Sequence, residues 1–186
     1  MNIIKEIRNE VERRCKLPSN FFGYGCFLHI ESVAHHAVEL AKHYGADIEV
    51  CEIGAWLHDI ASVTDYDLYK DHHLHGMAIA EEILLEYDYP KFKIDLVKQC
   101  IFNHRGSIEC KKLSLEEMIV ADADAISHYD NVPSLLHLAY VQRQLDVIEG
   151  KAFVKAKLDR SYDKMSEQSK IFYRNKKLMV DQVFNF

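Results

Sequence analysis

The chain has 186 residues, of which 48% are hydrophobic, and a formal net charge of -6 at pH 7, so it can enclose an apolar core of its own. Only 7 Gly and 3 Pro occur, which argues against an all-β fold because such folds need many turn residues. The acidic balance gives no reason to expect a nucleic-acid or membrane partner, and no apolar run reaches the ~18 residues of a membrane span.

Helical periodicity begins near residue 26. From about Cys26 to Tyr44 the apolar residues recur every three or four positions, and Gly45 is the expected C-cap. Asp47 is expected to cap a second helix that runs through Ile60. These signals predict two successive helices joined by a very short connection.

The same signals continue through the middle of the chain. Asp71 is expected to cap a third helix, and Pro90 to start a fourth, whose apolar stripe ends at His104. Ser114, followed three residues later by Glu117, predicts a capping box at the start of a fifth helix. Because the connections are short, neighbouring helices should pack as an all-α bundle.

The C-terminal third is also predicted to be helical. Pro133 is expected to open a sixth helix that ends at Gly150, and a basic amphipathic tail to about Val180 supplies one or two more. Residues 151–177 contain nine Lys/Arg and three Asp/Glu. Such a segment could attract phosphates, although a solvated helix face is the simpler interpretation.

The cysteine pattern indicates the kind of cellular compartment in which we expect the protein. The five cysteines form no CxxC pair and are odd in number, and charged residues such as Lys5 and Glu6 interrupt any apolar run at the N-terminus. We therefore expect a reduced, cytoplasmic protein with unpaired and mostly buried thiols, one of them Cys110.

Histidines and carboxylates fall on the apolar faces of several predicted helices. His29, His58 and His104 lie on such faces, and Asp122 and Asp124 interrupt an apolar run. A single histidine of this kind is more often a hydrogen-bonded core residue than a ligand. Burying an unpaired carboxylate, however, costs several kcal/mol, and a divalent cation would compensate the whole set. Nitrogen and oxygen ligands without a thiolate suit Mn, Fe, Co, Ni or Zn, with Mg as a further option.

The adjacent pair His58-Asp59 restricts where such a site can lie. Neighbouring residues of a helix project about 100° apart, so the two can share one metal only where a helix end faces it. We therefore expect the site at the mouth of the bundle, with an open coordination position that is typical of catalytic metals.

The ordered set of these residues resembles the H…HD…D pattern of the HD superfamily of metal-dependent phosphohydrolases. Residues 29–33 resemble the first ligand helix, with Ser32 where Arg is common; residues 55–60 resemble the central motif, and residues 121–124 the closing motif. The resemblance covers about residues 25–130 and implies a single HD-type domain over residues 1–186, with helices from 131–186 packed on that core. The ligands it implies are His29, His58, Asp59 and Asp124.

Further histidines lie between the central and closing motifs. The resemblance implies that His104 and one of His72 or His75 either bind a second metal or contact phosphate and transfer protons, and the sequence leaves both roles open. We expect His73 to point outward, and we expect His36 to contact one of the metal ligands and orient it. Only structural roles are expected for the remaining histidines, His35, His43, His128 and His137.

The function that these features predict is hydrolysis of a phosphate ester or phosphoanhydride in a small nucleotide or phosphorylated metabolite, of the phosphatase, phosphodiesterase or pyrophosphatase class. One metal ion, with a second as the open alternative, would activate water. Asp59 would orient that water, His104 would assist it, and Arg105 would bind phosphate. Weaker candidates for binding the substrate are Lys70, Lys157 and Arg160.

Two other functions use the same residues. One is a metal-binding HD module that signals without turnover, and the other is a di-iron oxygenase built on the same ligands. The expected partner is a small phosphorylated molecule, with no membrane or nucleic-acid partner, and the chain is expected to be a monomer or a homodimer.

Overall fold

The computed structural model describes residues 2–105 and 112–184, so Cys110 lies outside the described residues. Within these ranges the chain forms helices and no strand, which confirms the all-α prediction. The helices are α1 (Ile3–Cys15), α2 (Gly25–Tyr44), α3 (Ile48–Leu57), α4 (Ile60–Thr64), α5 (His72–Glu86), α6 (Lys91–Asn103), α7 (Leu115–Asp130), α8 (Val132–His137), α9 (Val147–Asp163) and α10 (Glu167–Phe184).

Local capping signals explain several helix ends. Gly45 ends α2 in the left-handed conformation, with φ at 74°, and the side chain of Asp47 accepts a hydrogen bond from the backbone N–H of Val50 at the start of α3. The first helix, α1, was not predicted, although its buried residues Ile7, Val11 and Cys15 recur every four positions. The end of α2 and the start of α3 therefore follow the sequence closely.

One predicted helix boundary and one predicted capping contact in the first half are wrong. The second helix does not run through Ile60, because it ends at Leu57 and a new helix starts after His58 and Asp59. Asp71 precedes α5 but makes no capping hydrogen bond, since a 3₁₀ segment at Tyr66–Asp71 leads directly into that helix.

Only half of the predicted capping box at α7 forms. The hydroxyl of Ser114 accepts from the backbone N–H of Glu117, as expected. The Glu117 carboxylate instead accepts from the backbone N–H of Leu113 and from the side-chain amide of Asn103 at 2.6 Å. This buried carboxylate therefore ties the start of α7 to the end of α6.

The helix predicted between Pro133 and Gly150 is also divided. After α8 the chain continues as a π-helical segment, Leu138–Gln142, and α9 starts anew with a capping box from Asp146. Gly150 therefore lies inside the first turn of α9 and does not end a helix. A Cβ at this position would lie 2.1 Å from a ring carbon of Tyr140, so glycine allows the close approach of that ring.

The central helix of the bundle is α7. It packs against α2, α3 and α6, and also against α9 and α10. Gly54 lets α3 approach α6 closely, because a Cβ there would lie 3.1 Å from the Cβ of Cys100. In the part of the chain that the structure describes, no helix combines the length and apolar composition needed to cross a membrane.

Candidate metal centre

The structure brings together the four residues that the sequence resemblance implies as ligands. His29 comes from α2, His58 and Asp59 from the junction of α3 and α4, and Asp124 from α7. The Nε2 atom of His29 lies 3.2 Å from Oδ1 of Asp124, and Nε2 of His58 lies 3.9 Å from the same oxygen. Nε2 of His58 also lies 3.5 Å from Oδ2 of Asp59.

The helix break explains how adjacent residues share one site. In a continuous helix His58 and Asp59 would project about 100° apart. The backbone of Asp59 instead adopts φ -109° and ψ 16°, so the chain leaves the helical path between α3 and α4. His58 is fully buried, whereas the carboxylate of Asp59 is 29% exposed and borders the cleft. The Ser62 hydroxyl donates to Oδ1 of Asp59 at 3.2 Å and helps to orient it.

A second group of candidate ligands adjoins the first through Asp59. Nε2 of His72 lies 3.6 Å from Oδ1 of Asp59, and Nε2 of His104 lies 3.9 Å from it. The two histidines face each other with 3.2 Å between their Nε2 atoms. His75 is exposed, so of the two sequence candidates on α5 it is His72 that reaches the site.

The hydrogen bonds of the histidine rings determine which nitrogen is free. The Nδ1 atoms of His58, His72 and His104 each bond to the backbone carbonyl three residues earlier, at 2.6, 2.8 and 2.5 Å. A carbonyl only accepts, so each Nδ1 carries the proton and each Nε2 carries a lone pair. The same holds for His29, whose Nδ1 bonds to the hydroxyl of Ser127 at 2.7 Å while that hydroxyl donates to the carbonyl of Asp124.

These lone pairs fit a divalent metal ion. Nε2 of His58 is buried and has no hydrogen-bond partner among the described residues, which is costly for a polar atom unless a ligand satisfies it. The facing lone pairs of His72 and His104 repel each other unless a cation lies between them. Burial lowers the pKa of His104 to about 3 and also lowers that of His58, so both rings stay neutral and able to bind metal near pH 7.

Lys164 contributes a positive charge that the sequence analysis did not assign to the site. Its ammonium forms an ion pair with Asp124 and donates to the backbone carbonyl of His104 at 3.2 Å. Burial favours the protonated form of Asp124, but the charge of Lys164, together with the neighbouring His128 and His29, outweighs burial and holds the pKa of Asp124 well below its usual range. The missed signal is spacing, because Lys164 follows Arg160 by one turn and Lys157 by two.

The predicted substrate-binding cations divide into two sets. Lys157 and Arg160 line the cleft from α9, and burial lowers the pKa of Lys157. Arg105 also lines the cleft, where its guanidinium donates to the backbone carbonyl of Lys70 at 2.7 Å. The side chain of Lys70 is exposed and does not line the cleft. Lys70 therefore contributes to the site through its backbone carbonyl, which accepts from Arg105, and not through its charge.

Two expectations about other histidines are wrong, and a third histidine lies beside the candidate ligands. His128, for which only a structural role is expected, is buried with its ring 4.6 Å from that of His29 and its Nδ1 3.8 Å from Oδ1 of Asp124. His73, expected to point outward, is buried beside Arg105. His36 binds Asp130 instead of supporting a candidate ligand, a role that Ser127 has toward His29.

The contacts of Asp122 explain why only the second aspartate of the closing motif faces the candidate metal centre. Residues two apart on a helix project about 200° apart, so Asp122 and Asp124 leave α7 in nearly opposite directions. The Asp122 carboxylate accepts from the backbone N–H of Ser166 at 2.9 Å and from the hydroxyl of Ser169 at 2.8 Å. It therefore anchors the start of α10 and needs no cation.

The cleft in front of these residues encloses about 340 Å³. Candidate ligands and cations form one part of its wall. Aromatic and aliphatic side chains form another part, among them Phe22, Tyr69, Leu135 and Phe153. A cavity of this size with convergent polar groups and an apolar wall is typical of a small-molecule site.

Part of the chain is similar in sequence to curated proteins. It is 33% identical over 106 residues to Ribonuclease Y from Treponema denticola, a match that covers 57% of this chain and 19% of that protein. Over 107 residues it is 32% identical to Ribonuclease Y from Symbiobacterium thermophilum, with the same coverage. The chain thus spans about a fifth of the length of these curated relatives.

A solved structure shares the fold of nearly the whole chain. Bacillus subtilis YpgQ in complex with ADP superposes with a TM-score of 0.63 at 18% identity, covering 97% of this chain and 93% of that one. The model of the HD domain family matches residues 27–129, which include all four of the ligands implied by the sequence resemblance. The chain therefore belongs to the HD domain family, whose members are generally metal-dependent phosphohydrolases.

Proposed function

We propose that this protein hydrolyses a phosphate ester or phosphoanhydride in a small nucleotide or phosphorylated metabolite, with two divalent metal ions. The observation that carries this proposal is the position of the Asp59 carboxylate. One of its oxygens faces His58, and the other faces both His72 and His104. A carboxylate shared between two groups of neutral imidazoles is the arrangement that two adjacent cations require.

The proposed ligand sets follow from these contacts. His29, His58, Asp59 and Asp124 would hold one ion, and Asp59, His72 and His104 would hold the other. A bound divalent ion lowers the pKa of a coordinated water and neutralises charge on a phosphoryl oxygen. The facing Nε2 atoms of His72 and His104 favour the ligand role for His104 over the acid-base role, because an acid-base group would not need a second lone pair 3.2 Å away.

The cations of the cleft support a phosphorylated substrate. Lys157, Arg160 and Arg105 line the same cavity as Asp59, and Lys164 holds its charge beside Asp124. The guanidinium of Arg105 is oriented by its bond to the Lys70 carbonyl, so part of the entropic cost of fixing it is already met before a phosphate binds. Such groups bind the substrate anion and stabilise the charge that develops during phosphoryl transfer.

The test is phosphate release by the protein reconstituted with Mn, Co or Mg. The substrate panel should contain nucleoside phosphates, sugar phosphates and inorganic pyrophosphate, together with a short oligoribonucleotide because the relatives are named Ribonuclease Y. Asp59→Asn should lower both metal content and turnover at least ~100-fold, since it weakens both ligand sets. The matched control is Asp95→Asn on the exposed face of α6, which should change neither.

Three results would contradict the proposal. Full turnover in Asp59→Asn would show that the shared carboxylate is not needed for hydrolysis. No turnover of any substrate by protein that holds metal would instead favour a metal-binding module without catalysis. Iron content with oxygen consumption on an oxidisable substrate would favour the oxygenase alternative.

A further inference from the structure

Two cysteine side chains meet where α1 ends and α2 begins. Cys15 is the last residue of α1, and Cys26 is the second residue of α2. The Cys15 thiol donates a hydrogen bond to the sulfur of Cys26. The side-chain amide of Asn20, in the connection between the helices, donates to the same sulfur at 3.2 Å and to the backbone carbonyl of Cys15 at 2.9 Å. One amide group therefore holds the sulfur of Cys26 against the end of α1.

The two sulfurs differ in their access to solutes. Cys15 is buried and only 2% exposed, whereas Cys26 is partly exposed and lines the same cleft as Asp59. Cys26 also precedes His29 by three residues, so the two lie on one face of α2. A small reagent that enters the cleft therefore meets Cys26 first, with Cys15 behind it.

The surroundings of Cys26 favour its thiolate. The hydrogen bond from Cys15 lowers the pKa of the Cys26 thiol, burial opposes this shift, and the amide of Asn20 adds to it. The same contact between the thiols raises the pKa of Cys15. The first turn of a helix also stabilises a thiolate, because the helix N-terminus carries partial positive charge. Cys26 is therefore the nucleophile of the pair, and Cys15 stays protonated beside it.

Cys51 and Cys100 provide a contrast within the same chain. Cys51 lies on α3 and Cys100 on α6, and both are 0% exposed. Burial raises the pKa of Cys51 to about 12 and holds that of Cys100 well above its usual value. These two thiols are protonated and shielded from solutes, so they should resist reagents that modify Cys26.

We propose that Cys15 and Cys26 form a peroxide-reactive dithiol that closes to a disulfide between α1 and α2. The Cys26 thiolate attacks one oxygen of a hydroperoxide, the O–O bond breaks, and the departing alkoxide takes a proton from water and leaves as an alcohol. Cys26 is then a sulfenic acid. The Cys15 sulfur attacks it and loses its proton, and the sulfenic oxygen leaves as water. Two electrons pass from the sulfurs to the peroxide. No metal ion takes part, so this modification goes beyond the proposed hydrolysis and does not depend on it.

The experiment maps the thiols of the whole chain after oxidation. Reduced protein is treated with an equimolar amount of hydrogen peroxide and a chelator, remaining thiols are alkylated in denaturant, and the peptides are identified by mass spectrometry. Peptides joined through Cys15 and Cys26 should accumulate at least ~10-fold faster than Cys51 and Cys100 are lost, because only Cys26 reacts as an accessible thiolate. Dithiothreitol should reverse the link.

Three variants separate the roles of the two sulfurs. Cys26→Ser should leave Cys15 as a thiol, because the nucleophile is gone. Cys15→Ser should leave a sulfenic acid on Cys26 that dimedone traps, because no second thiol resolves it. Cys51→Ala is the control and should form the disulfide at the wild-type rate.

The wild-type map decides the proposal without requiring any variant to fold. Recovery of Cys26 mainly as a thiol, mainly as a sulfinic acid or mainly linked to a cysteine other than Cys15 would overturn it. Oxidation of Cys51 and Cys100 as fast as Cys26 would also overturn it, because the selectivity argued from burial would then be absent.

Discussion

Removal of the ion pair between Lys164 and Asp124 should lower the thermal stability of the protein. We expect this loss to be larger without bound metal than with it. The two side chains are 14% and 8% exposed, and the ammonium also donates to the carbonyl of His104. Lys164→Met keeps most of the aliphatic stem and removes the charge. In metal-free protein the substitution leaves Asp124 buried without its cation, which costs about 3–5 kcal/mol for a buried pair.

That cost translates into a measurable change in thermal stability. In a chain of 186 residues, 1 kcal/mol corresponds to a shift in Tm of about 2–4 °C, so the low end of the range predicts a Tm lower by about 6–12 °C in EDTA. Metal-saturated protein should lose less than about half as much, because the ion becomes the positive partner of Asp124. The gain in Tm on adding Mn should therefore be larger in the variant than in wild type.

The assay is thermal unfolding followed by circular dichroism, in EDTA and in excess Mn. Lys42→Met is the control, since Lys42 pairs with Glu39 at the surface with both side chains more than half exposed, and it should leave Tm unchanged in both conditions. An equal loss of Tm with and without metal would refute the reasoning, because it would mean that Lys164 and the ion do not share Asp124.

Three further predictions concern metal content, packing and pH. His72→Ala should lower the bound metal from two ions to one per chain, as measured by elemental analysis. The control is His75→Ala, at an exposed position on the same helix, which should leave the metal content unchanged. Equal metal content in the two variants would contradict the second ligand set. Asp122→Ala should lower the free energy of unfolding by about 2–4 kcal/mol in urea titrations without changing metal affinity, because it leaves the start of α10 without its acceptor. Burial lowers the pKa of His58, and that of His104 to about 3, so below pH ~6.5 the unfolded chain takes up protons that the folded metal-free protein does not. The free energy of unfolding should then fall by up to ~1.4 kcal/mol per pH unit between pH ~6 and ~4 from His104, and His58 should add to this fall in the same direction. A flat profile there would be inconsistent with neutral buried rings.

The sequence by itself determined the helical class and several helix ends. Scarce glycine and proline, with apolar residues at helical spacing, predicted an all-α chain, and Gly45 and Asp47 marked the connection between α2 and α3 because they act on their own neighbours. The order of His29, His58-Asp59 and Asp124 likewise indicated the family. Local patterns failed at Gly150, where a glycine interpreted as a helix end instead makes room for Tyr140.

Only the tertiary structure decided which side chains meet at the candidate metal centre. Helical periodicity assigned His72 and His75 to neighbouring positions on one surface, but the packing of α5 against α6 turns His72 toward His104 and leaves His75 exposed. Ser127 supports His29 from 98 residues away along the chain, and Lys164 reaches Asp124 from 40 residues away. Periodicity specifies a face within one helix, whereas these contacts depend on how distant helices are oriented relative to one another.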